Sequence, residues 1–113
     1  MRYNKSMKNQ QLLEIFKALS NESRLKILQW LKEPKTYFPP QGIHLPEDDT
    51  FEGGVCVGSI QDKLGISQSA VSHYLDLMQR AGLLESARFG KWTYYRRNEA
   101  TIQDLAKYIG TDL

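Results

Sequence analysis

Apolar side chains recur at helical spacing in the first third of the chain. Near the N-terminus four of them share one helix face: Leu12, Ile15, Phe16 and Leu19. This i, i+3, i+4, i+7 spacing predicts an amphipathic helix from about residue 8 to residue 19. A second helix follows, for which Ser20 or Asn21 can serve as N-cap and which Pro34 stops. Its apolar side chains are Leu25, Ile27, Leu28, Trp30 and Leu31.

The composition changes between residues 34 and 54. This segment holds every proline of the chain and a short acidic run, and it shows neither a helical nor a strand period. A stretch this long without regular structure is uncommon in a compact domain, and its composition favours a disordered insertion. The alternative is a functional loop that Tyr37, Phe38 and Phe51 pin to the domain.

A short helix, a tight turn and a second helix are predicted after this insertion. Val57, Ile60 and Leu64 indicate the first helix, and Gly65 ends it because glycine accepts the left-handed backbone of a C-terminal turn. Ser67 then caps the second helix, which Gly82 ends. Its apolar stripe consists of Val71, Tyr74, Leu75 and Met78. Residues 57–81 therefore have the layout of a helix-turn-helix, with Val71 facing inward between the two helices.

Residues 83–97 are predicted to form a two-stranded hairpin. Leu84, Ala87 and the run from Trp92 to Tyr95 suit strands, and Phe89-Gly90 lies where the chain would turn. A last helix begins after Asn98, and its apolar positions are Ile102, Leu105, Ala106 and Ile109. A mainly helical chain in which a small β hairpin follows a helix-turn-helix is a winged helix. Its length of 113 residues fits one domain, 1–113.

The polar face of the 67–81 helix is unusual for a surface helix. It presents mostly short hydrogen-bonding groups: Ser69, Ser72, His73, Asp76, Gln79 and Arg80. A helix that enters the major groove of DNA needs such groups, and a glutamine can pair with adenine through two hydrogen bonds. The free backbone N–H groups of the first turn also favour phosphate. We therefore interpret five residues as a DNA-reading set: Ser67, Gln68, Ser69, Ser72 and His73.

Two observations weigh against this interpretation. Asp76 would repel phosphate unless it faces away from the DNA, and an ordinary surface helix can also be rich in serine and glutamine. The basic residues of the hairpin favour DNA, and at its tip Arg88 and Lys91 are expected to hold the phosphate backbone or the neighbouring minor groove. The net charge of +2 permits a nucleic-acid partner without requiring one.

Composition excludes several other classes. Cys56 is the one cysteine, which excludes an intramolecular disulfide and a multi-cysteine zinc finger and indicates a reducing compartment. No apolar run approaches the length of a membrane span, and the N-terminus lacks the apolar core of a signal peptide, so we expect a cytoplasmic protein with no membrane contact. No Ser-His-acid set, phosphate-binding glycine loop or metal triad is evident, and we expect no enzyme.

Three segments, in order along the chain, resemble the arsenic-repressor (ArsR/SmtB) family. FKALSNESRLKILQWL carries the Ala-Leu-x-x-x-x-Arg-Leu-x-Ile-Leu pattern that is typical of the family, SQSAVSHYL resembles its recognition helix, and GLLESARFGKWTYYR resembles its wing. The resemblance implies a homodimeric repressor whose first and last helices form the dimer interface. It also implies a near-palindromic operator in double-stranded DNA and an effector that favours a different dimer geometry.

The chain departs from the family at the effector sites. Cys56-Val57-Gly58 stands where metalloid-sensing members carry Cys-Val-Cys, and residues 101–110 contain no histidine and one acid, Asp104, where zinc-sensing members carry histidine and carboxylates. Tyr74 occupies the place of a family histidine, and His73 lies one position earlier. We therefore predict neither family metal site and no cofactor, and the effector stays unknown.

Two further candidates remain open. Cys56 keeps the position of a thiol used by redox-sensing relatives, so it is a candidate thiol switch through a sulfenic acid or an intersubunit disulfide; the alternative is a small buried hydrophobe. A hard-metal cluster in the insertion matches no ligand motif, and a solvated acidic loop is the alternative. Its residues are His44, Glu47, Asp48 and Asp49. The alternative function for the whole chain is a winged-helix module that contacts protein and binds DNA without sequence preference.

Overall fold

The computed structural model describes residues 7–41 and 51–113. Within these ranges the chain is mainly helical and contains three short strands. In chain order the helices and strands are α1 (Asn9–Leu19), α2 (Glu22–Lys32), α3 (Pro34–Tyr37), β1 (Val55–Cys56), α4 (Val57–Leu64), α5 (Gln68–Arg80), β2 (Leu84–Phe89), β3 (Trp92–Arg97) and α6 (Glu99–Thr111).

Local capping explains where the longer helices begin. The Asn21 side chain accepts a hydrogen bond from the backbone N–H of Arg24 at 3.0 Å, so Asn21, rather than Ser20, is the N-cap of α2. Asn98 caps α6 in the same way, by accepting from the N–H of Thr101 at 3.2 Å. Both caps satisfy N–H groups that have no partner inside their own helix.

The segment after α2 corrects the expectation of a stretch without regular structure. Pro34 does end α2, but it also opens the one-turn helix α3, in which its missing N–H is harmless. Phe38 and Phe51 are buried, which confirms that they pin the two described ends of the segment to the domain. Tyr37 stays largely exposed, and its ring lies 5.5 Å from Lys63 Nζ. The candidate metal cluster in the insertion, from His44 to Asp49, which matches no ligand motif, lies outside the described residues.

The sheet contains one strand that the sequence pattern did not indicate. In the described ranges its strand order is β1-β3-β2, and both pairings are antiparallel. β1 is the additional strand: Val55 pairs with Tyr95, and Cys56 pairs with Tyr94. The hairpin turn also lies one residue later than predicted, at Gly90-Lys91, and Gly90 adopts a φ of 62° that favours glycine.

Two groups of buried side chains hold these elements together. The larger group joins α2, α4 and α5 to the sheet: Ile27, Leu31, Phe38, Val55, Ile60, Val71, Leu75, Met78 and Leu84. The smaller group joins α1 to the end of α5 and the start of β2, and Ile102 and Leu105 of α6 pack against it: Ile15, Ala18, Ala81 and Leu83. Since α5 and its flanking residues supply side chains to both groups, its orientation is fixed from two sides.

Apolar side chains remain exposed on the first and last helices. Leu13 and Phe16 of α1 are 57% and 36% exposed, and Ile109 of α6 is 46% exposed. α6 has no fully buried residue, although its apolar positions keep helical spacing. Among the described residues no helix is both long enough and apolar enough to cross a bilayer.

Candidate nucleic-acid interface

α4 and α5 meet at a turn whose geometry is set by Gly65. Gly65 has a left-handed φ of 71°, and its N–H donates to the Gln61 carbonyl at 2.8 Å. Val71 is fully buried and belongs to the same apolar group as Ile60 of α4, so it holds the two helices together as predicted. The predicted short helix, glycine turn and second helix are confirmed.

The N-terminus of α5 presents small polar groups to solvent. The Ser67 hydroxyl accepts from the N–H of Ala70 at 3.2 Å, which makes Ser67 the N-cap. Its hydroxyl also lies 3.3 Å from that of Ser69. Gln68 and Ser69 are exposed. Among the described residues, neither side chain forms a hydrogen bond to another helix or strand. Unpaired backbone N–H groups at this end carry partial positive charge and suit an anionic partner.

The exposed stripe continues along α5 through Ser72 and His73 to an ion pair at the far end. The Arg80 guanidinium donates to Asp76 through both Nε and a terminal nitrogen, with an Nε–Oδ2 distance of 2.9 Å. These hydrogen bonds lower the pKa of Asp76 and raise the pKa of Arg80. Arg80 thus neutralises Asp76, the one carboxylate on the stripe. The paired carboxylate would repel a DNA phosphate less than a free carboxylate would.

The basic residues of the hairpin separate into two pairs. Arg96 binds Glu85 on β2 with an Nε–Oε1 distance of 2.6 Å, and Arg97 binds Glu99 of α6. Arg88 donates to the Gly90 carbonyl at 3.0 Å across the tip, and Lys91 Nζ lies 5.6 Å from the centre of the Trp92 ring. Arg88 and Lys91 are exposed and form no ion pair within the described part of the chain, so they are the cations that the hairpin tip presents.

Arg24, known from the sequence only as part of the family pattern, connects three helices. It lies in α2, and its Nε donates to the carbonyl of Ala18, at the end of α1, at 2.6 Å. Its guanidinium also lies 5.1 Å from the centre of the Tyr74 ring on α5. The same side chain therefore binds a carbonyl at the end of α1 and contacts the candidate recognition helix.

Cys56 is half-buried at the junction of β1 and α4. Its N–H donates to the Gln41 side-chain oxygen at 3.0 Å, and its Sγ lies 3.6 Å from the Ser59 hydroxyl. Gln41 also donates to Ser59 at 3.3 Å, so three polar groups meet here. In residues 7–41 and 51–113 no group of three or more His, Cys, Asp or Glu side chains lies close enough together to hold a metal ion.

Comparisons with known proteins agree with this architecture. Residues 51–86 match the model of the family described as bacterial regulatory protein, arsR family. The chain is 52% identical over 102 residues to YbzH of Bacillus subtilis (strain 168), an uncharacterized HTH-type transcriptional regulator, and the match covers 89% of this chain and 97% of YbzH. It is 29% identical over 95 residues to the transcriptional repressor SdpR of the same organism, with 84% of each chain covered.

A solved structure shows the same fold. The homodimeric winged helix-turn-helix DNA-binding domain (fragment 1–100) of Mb0332 from Mycobacterium bovis, a possible ArsR-family transcriptional regulator, superimposes with a TM-score of 0.58 and 25% identity. The match covers 88% of this chain and 81% of that one. These relatives are regulators of transcription and not enzymes. The chain therefore belongs to the ArsR family of DNA-binding, winged helix-turn-helix transcriptional regulators.

Proposed function

We propose that this regulator is a homodimeric repressor that occupies a near-palindromic operator in double-stranded DNA and leaves it in response to a signal. The observation that carries the proposal is the N-terminal half of α5, where the outward side chains are exposed, mostly short and able to form hydrogen bonds. The name of SdpR, a transcriptional repressor, supports the direction of regulation.

In this proposal the N-terminal half of α5 lies in the major groove. Gln68, with its two donors and an acceptor, reads a base edge, most simply an adenine. Ser67 and Ser69 hold phosphate at the first turn together with free backbone N–H groups. Ser72 and His73, one turn later on the same face, contact bases or sugars deeper in the groove. Arg88 and Lys91 bind the phosphate backbone beside the groove and contribute affinity without sequence preference.

The dimer in this proposal is built on the exposed apolar faces of α1 and α6. Leu13, Phe16 and Ile109 lie on these faces, and burying them against a second copy would remove apolar surface from water. The homodimeric state of Mb0332 supports a dimer as such. Two α5 helices related by a twofold axis then meet two half-sites about one turn of DNA apart, on the order of 10 base pairs.

Cys56 remains a candidate thiol switch, because its Sγ lies beside Ser59 at the N-terminus of α4, where oxidation would add a polar oxygen. A Cys56→Ser variant that still releases DNA after peroxide treatment would exclude this role. Since a repressor has to reach chromosomal DNA, the predicted cytoplasmic location is part of the proposal.

The proposal is tested by two substitutions that should differ in kind. Gln68→Ala should relax preference at one base pair and cost about 1–3 kcal/mol of binding free energy, because a base contact is lost. Lys91→Ala should weaken every duplex alike and lower the slope of log affinity against log salt by about one. Both are measured by fluorescence anisotropy with the duplex upstream of the protein's own gene and a scrambled duplex.

Gln29→Ala, which truncates an exposed glutamine on α2, is the matched control and should leave both affinities unchanged. If Gln68→Ala alters neither affinity nor preference, the placement of α5 in the groove is wrong. Equal, weak binding of both duplexes by the unmodified protein would favour the alternative, a winged helix that contacts protein.

A further inference from the structure

A turn at the end of the 34–54 segment packs on the wing. The turn comprises residues 51–54, and its first residue, Phe51, is only 6% exposed. The N–H of Gly54 closes the turn by donating to the Phe51 carbonyl at 3.1 Å. A Cβ atom on Gly54 would lie 2.5 Å from Cδ2 of the Phe51 ring, closer than real Cβ atoms approach. The position of the ring therefore depends on glycine at 54.

Arg96 connects this turn to both strands of the hairpin. It lies on β3, directly opposite Glu85 of β2, and binds that carboxylate with an Nε–Oε1 distance of 2.6 Å. A terminal nitrogen of Arg96 donates to the Glu52 carbonyl at 3.2 Å. The guanidinium also lies over the Phe51 ring, 4.1 Å from its centre. One cation thus holds β2, β3 and the turn together through an ion pair, a hydrogen bond and a cation–π contact.

Phe51 extends this contact toward the hairpin tip. Its ring centre lies 6.4 Å from that of Phe89, the last residue of β2 before the turn at Gly90-Lys91. Phe89 in turn packs edge-on against the buried Tyr94 of β3 at 5.8 Å. The ring of Phe51 therefore contacts the base of the hairpin, through Arg96, and also Phe89, which lies between the tip cations Arg88 and Lys91 in the sequence.

We propose that the 51–54 turn is a wing brace, and that Phe51 and Arg96 are positioning residues that present Arg88 and Lys91 to DNA. The inference rests on the proposed contact between the wing and the phosphate backbone. The brace gives a role to the end of the 34–54 segment, which its composition predicted to be a disordered insertion. Neither Phe51 nor Arg96 needs to touch DNA in this role.

Pre-organisation gives the physical reason for such a brace. A two-stranded hairpin is only marginally stable in water by itself, and side chains that are ordered on binding cost free energy at that moment. Contacts that fix the hairpin in the free protein remove that cost before DNA arrives. The brace should therefore raise affinity through the wing contact and leave base preference to α5.

The test combines two brace variants with Lys91→Ala. Arg96→Met removes the guanidinium and keeps an apolar stem over Phe51. Gly54→Ala keeps both Phe51 and Arg96 and displaces the Phe51 ring. Lys26→Met takes one positive charge from α2 and is the charge-matched control. Amide hydrogen exchange of β2 and β3 is measured in the free protein, and DNA affinity by anisotropy at 0.15 M salt.

Both brace variants should speed exchange of the hairpin amides at least about tenfold while α4 and α5 stay protected, because only the brace is lost. Lys91→Ala should weaken binding about fivefold in the unmodified protein and in the Lys26→Met control, the value for one lost phosphate contact. In the brace variants the same substitution should cost less than about twofold, because the tip no longer holds Lys91 in place.

Unchanged hairpin exchange in both brace variants would overturn the brace. Faster exchange with an undiminished cost of Lys91→Ala would overturn its role in DNA binding. Failure of the proposed wing contact gives a different result: Lys91→Ala then has no effect in the unmodified protein, and the positioning role is overturned together with that contact.

Discussion

At the scale of single residues, Tyr94 combines complete burial with an unsatisfied hydroxyl. Tyr94 lies on β3 and pairs with Cys56 of β1. Its hydroxyl oxygen has no hydrogen-bond partner among residues 7–41 and 51–113. Burial raises the pKa of Tyr94 above its usual 10.0, because the phenolate would lose its hydration. A buried hydroxyl without a partner costs about 1–3 kcal/mol, so the apolar ring, rather than the hydroxyl, stabilises the fold.

We predict that Tyr94→Phe does not lower the free energy of unfolding at pH 7 and raises it by up to about 1–3 kcal/mol. Since burial raises the folded-state pKa of Tyr94, the contribution of this residue to stability is complete below about pH 10 and is lost as pH rises through the raised pKa. The advantage of the variant should therefore grow in that range. Urea denaturation at pH 7 and above pH 10 measures both effects.

Tyr37→Phe, which removes a hydroxyl from a largely exposed tyrosine, is the control for this measurement and should change little. A loss of more than about 1 kcal/mol in Tyr94→Phe at pH 7 would mean that the hydroxyl has a partner after all.

The capping residues of the helices can be predicted from the sequence alone. Asn21, Gly65, Ser67 and Asn98 act as the sequence indicates, because a cap depends on neighbours within about one helical turn. The roles of Arg24 and Arg96 could not be found in that way. Their partners belong to other elements, and only packing brings them together.

At the scale of elements, periodicity identifies the long helices and misses the short pieces. α1, α2, α4, α5 and α6 span at least two turns, so their apolar stripes repeat often enough to be recognised. α3 is a single turn and β1 has two residues, which is too short for any period. β1 exists because Val55 and Cys56 pair with β3, a contact between distant parts of the chain.

The position of the hairpin turn determines which residues of β2 and β3 lie opposite each other. A turn at Phe89-Gly90 would place Glu85 opposite Tyr94, whereas the observed turn at Gly90-Lys91 places it opposite Arg96. A shift of one residue in the turn therefore moves every cross-strand pair by two positions. The Glu85–Arg96 ion pair, and with it the wing brace, is visible only with the correct register.

For α5, Ser67 is expected to determine how well the recognition helix is formed at its N-terminus. Ser67→Ala removes the acceptor for the Ala70 N–H and should lower the free energy of unfolding by about 1 kcal/mol. The loss should be accompanied by faster exchange of the amides in the first turn of α5. Chemical denaturation and hydrogen exchange measure the two effects.

Ser67→Thr keeps a hydroxyl acceptor at the same position and serves as the matched control. It should retain most of the stability and most of the protection of the first turn. If alanine and threonine behave alike, the cap contributes nothing to α5, and fraying at that end is governed by tertiary packing.

At the scale of the whole molecule, the arrangement of the two apolar groups connects the proposed dimerisation surface to the proposed DNA-reading surface. The smaller group joins α1 and α6 to the residues that follow α5, and the larger group joins the buried face of α5 to α2, α4 and the sheet. Arg24 adds a polar connection between α1, α2 and α5. In the proposed dimer, a change in how α1 and α6 pack would therefore act on α5 through these contacts, and we expect an effector that favours one packing to alter DNA affinity in this way.

In the proposed complex, two copies of this chain present two α5 helices to two DNA half-sites. Selection of binding sequences from a random duplex library tests it most directly, because it requires no knowledge of the operator. We expect enrichment of an inverted repeat whose half-site centres lie about 10 base pairs apart, and loss of the enriched base at one position of each half-site when Gln68→Ala protein is used. Recovery of no common sequence, or of a single unrepeated site, would show that two α5 helices do not read two half-sites.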